Sequence, residues 1–454
     1  MIRRTDGAGP GARRRIGRAG GAGAVLAAVV ALGSLAACAG AVDTAPLPQT
    51  RPGADAEADA AATGEAAMTA PVPQASPARF EDWRAGFRTR ALAEGIRADV
   101  FDAAFAGVRV NPTVIERDRF QPEFVRPIWE YLDSAVSDAR IATGREKAAA
   151  NAALLDRIEA AHGVDRGVVV AIWGLESAYG AVKGDISVIE GLATLAYDGR
   201  RRAFAEEQLL AALRILQSGD IAAPRLRGSW AGAMGHTQFI PTSYLSYAVD
   251  FTGDGRRDIW GTDPSDALAS TANYLAAFGW ERGAPAVRRV ILPAGFDYAL
   301  ADGSVRRPVA EWTAMGVAPA EGGALPAADA AFVLLPAGAR GPAWLAYPNF
   351  RTILRYNNAT SYGLAVSLLA EEIAGRRGAS RGIDWPRSER PLSRSETVAL
   401  QQGLTGLGFD TQGTDGIVGP NTRAAVRAFQ RVSGLTPDGH VTAELLRAVQ
   451  AAGG

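Results

Sequence analysis

Cysteine is almost missing: Cys38 is the only one in a chain of 454 residues, which excludes an internal disulfide. Histidine is nearly as scarce. His162, His236 and His440 stand in unrelated contexts, and the one thiol lies far from all of them, so neither Ser/His/Asp nor Cys/His catalysis is supported. An excess of either charge is also absent, since Lys+Arg and Asp+Glu both number 48 and the formal net charge is +0. Nothing electrostatic therefore calls for nucleic acid as a partner, or for an anionic membrane surface as the main docking force. Lys147 and Lys183 are the only lysines, so nearly all positive charge is arginine. The uncharged run from Gly20 to Ala37 is too short and too rich in Gly and Ala for a convincing membrane span.

What the amino terminus does contain is an address. Arg3, Arg4, Arg13, Arg14, Arg15 and Arg18 precede that uncharged run, which ends in Leu35-Ala36-Ala37-Cys38. The arrangement resembles a lipobox, so residues 1–38 are read as a lipoprotein signal, with the Cys38 sulfur acylated after cleavage. Two or more acyl chains hold a protein stably on a bilayer where one does not. Ala39 puts no acidic residue after the cysteine, which favours the outer membrane, on its periplasmic side. Residues 39–78, rich in Ala, Pro, Gly, Asp and Glu, cannot bury enough surface to order themselves and read as a flexible tether.

From residue 79 to 376 the pattern is mainly helical. Phe80, Trp83, Phe87, Leu92, Ile96, Val100, Phe101 and Phe105 recur at helical spacing up to a stop at Gly107. Further helices are expected over 124–141, 148–161, 165–179, 204–217, 264–278 and 362–373. Between about 287 and 347, the short apolar runs Arg289-Val290-Ile291-Leu292 and Ala331-Phe332-Val333-Leu334-Leu335 are separated by Gly and Pro, which predicts a small β-rich insertion. Residues 377–390 look like a linker before a small module at 391–454.

One carboxylate stands out. In the segment 165–180, Asp165 is placed to cap a helix and Gly180 to close it, and nearly everything between is apolar or small. Glu176 is alone in that run, with Ile172, Trp173 and Tyr179 at helical spacing around it. Desolvation by such neighbours raises a carboxyl pKa, which a general acid needs near neutral pH. A structural glutamate paired with an arginine elsewhere fits the helix alone equally well.

Other tracts shift the balance. Residues 228–244 are dense in small residues that let backbone approach a ligand, with Ser229 and Gln238 as hydrogen-bonding groups. Ala272-Asn273-Tyr274 and the stretch 355–362 supply aromatic and amide groups suited to sugar faces and edges. Asp250, Thr252 and Asp254 repeat the first oxygen positions of an EF-hand loop, with Gly255 at the sixth place and Gly261 where the standard loop has its bidentate Glu.

Ile172-Trp173-Gly174-Leu175-Glu176-Ser177, Gly232-Ala233-Met234-Gly235, that loop and Arg355-Tyr356-Asn357, in this order, resemble the membrane-bound lytic murein transglycosylase B family. The resemblance implies a mainly α, lysozyme-like core with Glu176 as catalytic acid, and saccharide contacts from Ser229, Gln238, Tyr274, Tyr356, Asn357 and Tyr362. It assigns no role to His236. No cofactor is required; the most it implies is a structural Ca2+ held by Asp250, Thr252, Asp254, the Arg256 carbonyl and Asp266, two residues further along than usual. The implied partner is the peptidoglycan glycan strand, cut between N-acetylmuramic acid and N-acetylglucosamine to leave 1,6-anhydro ends.

The spacing of Leu400, Gln401, Gly403, Asp415-Gly416, Val426, Phe429 and Asp438-Gly439 predicts a compact helical bundle, similar to the peptidoglycan-binding domain of wall enzymes. Two other readings stay open: a muramidase using water, and a non-catalytic wall-binding lipoprotein.

Overall fold

The computed structural model describes residues 77–120, 126–376 and 382–454. The expected signal, Cys38 and the tether up to residue 76 lie outside the described residues. Among the described residues no helix is long and apolar enough to cross a membrane.

Helices dominate, shorter than the apolar periodicity suggests. The first pattern divides into Pro77–Ala93 and Ala98–Ala104. Phe87, Phe101 and Phe105 nevertheless meet in one core, with the last two rings stacked at 4.3 Å. Apolar spacing reports which side faces the core and not whether the backbone is continuous across it. The expected helix over 124–141 is likewise replaced by Ile128–Ala135 and Asp138–Ala150, because Ser137 turns out of the helix and its hydroxyl accepts from the Arg140 amide.

The helix Arg166–Ser177 runs through the centre of the body, and every residue from Gly167 to Ser177 is buried. Asp165 caps it, its Oδ1 accepting from the Gly167 amide at 2.7 Å. It packs along Thr360–Ile373, itself buried on nearly all sides. The carboxyl end corrects the sequence reading. The helix stops at Ser177, and Ala178 and Tyr179 take left-handed φ of 48° and 59° before Gly180. Tyr179 is therefore not on the helix face beside Glu176. Its ring folds under Gly174, where an added Cβ would lie 2.5 Å from the ring, and its hydroxyl donates to the Arg140 carbonyl at 2.7 Å.

The β-rich expectation holds. Ala318–Pro319, Val287–Ile291, Ala343–Ala346 and Phe332–Leu334 form a four-stranded antiparallel sheet in that spatial order. Val290, Trp312, Val333, Leu345 and Tyr347 give the insertion a core of its own, with the Trp312 indole donating to the Ala331 carbonyl. Three helices, Arg394–Gly406, Pro420–Val432 and Ala443–Ala452, make the C-terminal module. Leu400, Leu404, Val426, Phe429 and Val449 form its core, each side chain contributing roughly 1.5–3 kcal/mol by burial. The module meets the insertion through an Arg427–Asp302 ion pair and through Asp438, which accepts from the Ala339 amide at 2.8 Å.

Candidate active site

Glu176 sits in the last turn of its helix and is only 7% exposed. Its one side-chain hydrogen bond among the described residues comes from Tyr362, whose hydroxyl donates to Oε1 at 2.6 Å from the neighbouring helix Thr360–Ile373. Among the described residues no arginine or lysine pairs with it. Burial pushes the carboxyl up to about 7, and the Tyr362 hydrogen bond, which favours the charged form, pulls back against that rise. Close to neutral pH this group can both hold a proton and give it up.

Three tyrosines surround the carboxyl. Tyr362 is fully buried, and Tyr356 and Tyr131 are close enough for the Glu176 charge to raise their phenols further above the usual range, after burial. Tyr356 donates to the Thr237 carbonyl at 2.5 Å, which ties the helix Pro348–Tyr356 to the 228–239 segment. Beyond it the rings form a track: Tyr356 to Tyr274 at 5.1 Å, Tyr274 to Phe278 at 4.7 Å, with Phe239 against both tyrosines. The Tyr274 hydroxyl donates to the Arg355 carbonyl, and burial pushes that phenol up to about 12.

Of the residues singled out from sequence, Tyr356 and Tyr362 gather at Glu176 and Tyr274 lies one ring further out. Gln238 occupies the hairpin closed by Met234 and Phe239, where its φ is 54° and its amide donates to the carbonyls of Gly235 and Lys183. The Ser229 hydroxyl accepts from the Ala233 amide and closes a tight turn. Asn357 ends the helix Pro348–Tyr356, its Oδ1 accepting from the Ala359 amide. No contact ties Ser229 or Asn357 to Glu176 among the described residues. Ala178, Tyr179 and Gln238 account for three of the four described non-glycine residues at positive φ. Left-handed backbone costs about 1–2 kcal/mol per residue, and its concentration at the end of the Glu176 helix and in the hairpin that His236 pins to it marks the place where the fold holds strain.

Sequence reasoning missed two features. Tyr131, on the short helix Ile128–Ala135, carries no motif spacing that could have pointed to it. His236 is a pin: its Nδ1 accepts from the Trp173 indole at 3.1 Å, its Nε2 lies 2.9 Å from the Gly261 carbonyl, and its own carbonyl accepts from the Ser177 hydroxyl. These bonds fasten the end of the Glu176 helix to the hairpin. The Trp173–Glu176–Ser177 spacing was the available signal, since it puts both partners of His236 on one helix end.

The acidic loop is closed by its own backbone. Asp250 accepts from the amides of Gly253, Asp254 and Gly255, and Asp254 from that of Arg256. Asp266 reaches back from the helix Ser265–Ala277 to the amides of Phe251, Thr252 and Asp258. Burial, with the Asp250 charge as a lesser cause, raises the Asp266 carboxyl. No arginine or lysine forms an ion pair with Asp250, Asp254 or Asp266 among the described residues, so the hard-oxygen donors suit a divalent cation in kind. As arranged, three acidic side chains do not converge on one point there.

Comparison with known proteins places this geometry. Residues 79–371 match the family described as the transglycosylase SLT domain, and residues 393–449 a putative peptidoglycan binding domain. The membrane-bound lytic murein transglycosylase B of Escherichia coli strain K12 is 35% identical over 229 residues, which are 48% of this chain and 60% of that protein, so the chain spans less than two thirds of that relative's length. SltB3 of Pseudomonas aeruginosa, solved in complex with NAG-anhNAM-pentapeptide, is 53% identical, with a TM-score of 0.79 over 82% of this chain and 99% of that one. Slt35 of Escherichia coli, solved in complex with calcium, is 29% identical, with a TM-score of 0.57 over 65% of this chain and 93% of that one.

Proposed function

Because the chain belongs to the transglycosylase SLT-domain family and carries a peptidoglycan-binding domain behind it, we propose that it is a lytic transglycosylase of the bacterial cell wall. It cleaves the β-1,4 bond between N-acetylmuramic acid and N-acetylglucosamine with Glu176 as its only acid/base. The observation that carries this reading is a buried carboxyl held near neutrality, with a tyrosine as its partner and no guanidinium beside it among the described residues. A hydrolase of the usual kind needs a second carboxylate as nucleophile or base. Asp185, the nearest acidic residue downstream, is exposed and does not act on Glu176.

Glu176 first gives its proton to the bridging oxygen as the bond to muramic C1 breaks. The carboxylate left behind then takes the proton of the C6 hydroxyl, and O6 closes on C1. The proton lost in the first step is recovered in the second, and no water is consumed. Tyr362 orients Oε1 throughout, and Tyr356 and Tyr274 offer aromatic faces to the sugars, with Ser229, Gln238 and Asn357 as polar contacts at the rim. Mass spectrometry of the fragments released from purified peptidoglycan tests this: 1,6-anhydromuramic ends are expected, and reducing muramic ends would establish hydrolysis instead.

The pH profile follows from the acid's position. Activity is expected to fall as pH rises through about 7, where Glu176 loses its proton. Tyr362→Phe removes a donor that favours the carboxylate, so the alkaline limb should move to higher pH. A limb that moved down, or stayed in place, would contradict the hydrogen bond's assignment.

The Asp250 loop is the place for calcium, with Asp250, Thr252, Asp254, the Arg256 carbonyl and Asp266 as donors. Such an ion would supply cross-linking of the loop to the helix Ser265–Ala277 and takes no part in the reaction. Millimolar calcium is expected to raise Tm by a few degrees, as mass action gives about 1.4–2.7 kcal/mol at ten to a hundred times Kd. The gain should disappear in Asp266→Asn. A wild-type Tm indifferent to calcium and to chelator would leave the loop as a hydrogen-bonded turn. Acylated Cys38, outside the described residues, would hold the enzyme on the periplasmic face of the outer membrane.

A further inference from the structure

Three arginines stand together beyond the outer end of the aromatic track. Arg351 and Arg355 lie one turn apart on the exposed face of the helix Pro348–Tyr356, and the exposed Arg306, from the insertion, is near enough for its charge to act on Arg351. The Arg355 guanidinium lies over the Phe278 ring at 5.7 Å, and Phe278 is 36% exposed. From there the rings of Tyr274 and Tyr356 lead inward to Glu176.

Most arginines of the body are paired. Arg307, beside Arg306 in sequence, pairs with Glu311 at 3.0 Å, and Arg288 pairs with Glu371. Arg306, Arg351 and Arg355 have no carboxylate within ion-pair distance among the described residues. Like charges one helical turn apart repel, and after partial burial it is Arg306 and Arg355 that press the Arg351 guanidinium below its usual range. A guanidinium keeps its charge in proteins at neutral pH. In a chain of zero net charge, an unneutralised group of three is a cost to the folded state unless something anionic meets it.

We propose that Arg306, Arg351 and Arg355 form a cationic rim that receives the carboxylates of the peptide stem carried by a glycan lying along Phe278, Tyr274 and Tyr356. The inference rests on the proposed function for its substrate and adds a determinant for the stem. The sugars are neutral apart from the muramic lactyl group. Once amidated by the stem, that group no longer carries charge, so the stem's own acidic residues and terminus are the anions available. Guanidinium forks suit them because they bind carboxylates bidentately.

The test uses the purified full chain and the double variant Arg306→Glu/Arg351→Glu. Both positions are exposed, and Arg355 is left alone because its carbonyl anchors Tyr274. Glycan strands whose stems keep their free carboxylates are compared with the same strands after the stem carboxylates are converted to neutral amides. On the free-carboxylate strands the variant's apparent KM should rise about tenfold with kcat within about twofold, and the difference should shrink in 1 M salt. On the amidated strands both parameters should stay within about twofold of wild type. An equal rise on both substrates would mean a general glycan contact and would overturn the proposal, as would no change on the free-carboxylate strands. A wild-type chain that releases anhydro products from neither strand defeats the proposed function itself, an outcome visible before any variant is compared.

Discussion

Glu176→Gln is expected to lower kcat by about a thousandfold or more and, at pH 8, to make the protein more stable than wild type. The first effect follows from removing the only group placed to move a proton at the bridging oxygen and at the C6 hydroxyl; general acid–base catalysis is typically worth about a hundred- to ten-thousandfold for each proton it moves. The second follows from the same burial. In the folded chain the carboxyl is raised to about 7 from its ordinary value of 4.5, so between those values the native state binds a proton that the unfolded state has released. Stability must then fall as pH rises across that window. Above pH 7 the full cost of ionising the buried group is present, roughly 3 kcal/mol. Below about pH 4.5 both states are protonated and the cost vanishes. Glutamine, which never ionises and still accepts the Tyr362 hydrogen bond, escapes the penalty. Calorimetry at pH 8 and pH 4 should show a higher Tm for the variant at the first and little difference at the second. A variant less stable at both would mean that Glu176 is a structural partner, and the proton-donor reading would fail.

The sequence exposed this site through one contrast, a single charge within a run of Val, Ala, Ile, Leu and Gly capped by Asp165. Local chemistry was enough for the cap, and burial of the run was enough for the direction of the pKa. It was not enough for the helix end. Gly180 was the expected left-handed residue, yet Ala178 and Tyr179 are left-handed too, because the Tyr179 ring finds its place under Gly174 and against Trp173. That contact is tertiary, and no local propensity announces it. The same holds for Tyr131, brought to the carboxyl by the packing of Ile128–Ala135 on Thr360–Ile373. The helix Val188–Asp198 shows no clear apolar stripe in sequence, because residues are buried along most of its length and Gly191 interrupts its face. Residues 228–244 have the composition of a ligand-approach tract; they also build a hairpin and the start of the helix Pro241–Tyr247, so their small side chains serve backbone packing as well.

That double use makes Gly184→Ala the substitution expected to do most damage outside Glu176. Gly184 has φ of +86°, and a Cβ there would lie 2.1 Å from the Gly228 carbonyl carbon and 2.5 Å from the Ser229 amide. These are backbone atoms and cannot swing aside. Two strands, Ile186–Ser187 and Arg227–Gly228, are paired immediately beyond them, and the Lys183 carbonyl holds the Gln238 amide at 3.1 Å. Moving the chain by the ångström or so that relieves the clash therefore displaces Ser229 and Gln238 together. The expected loss is about 4 kcal/mol, from overpacking of about 1–3 kcal/mol and left-handed backbone of about 1–2 kcal/mol. Gly219→Ala isolates the backbone part: its φ is +85°, it caps the helix Arg202–Ser218, and nothing lies within 4 Å of the added carbon. Denaturant unfolding should give the control a loss of about 1–2 kcal/mol with normal activity. Gly184→Ala should lose more than twice that, with activity falling further than the unfolded fraction explains. Equal losses in the two variants would show that the contact between Gly184 and the Gly228–Ser229 backbone does not hold Ser229 and Gln238 in place.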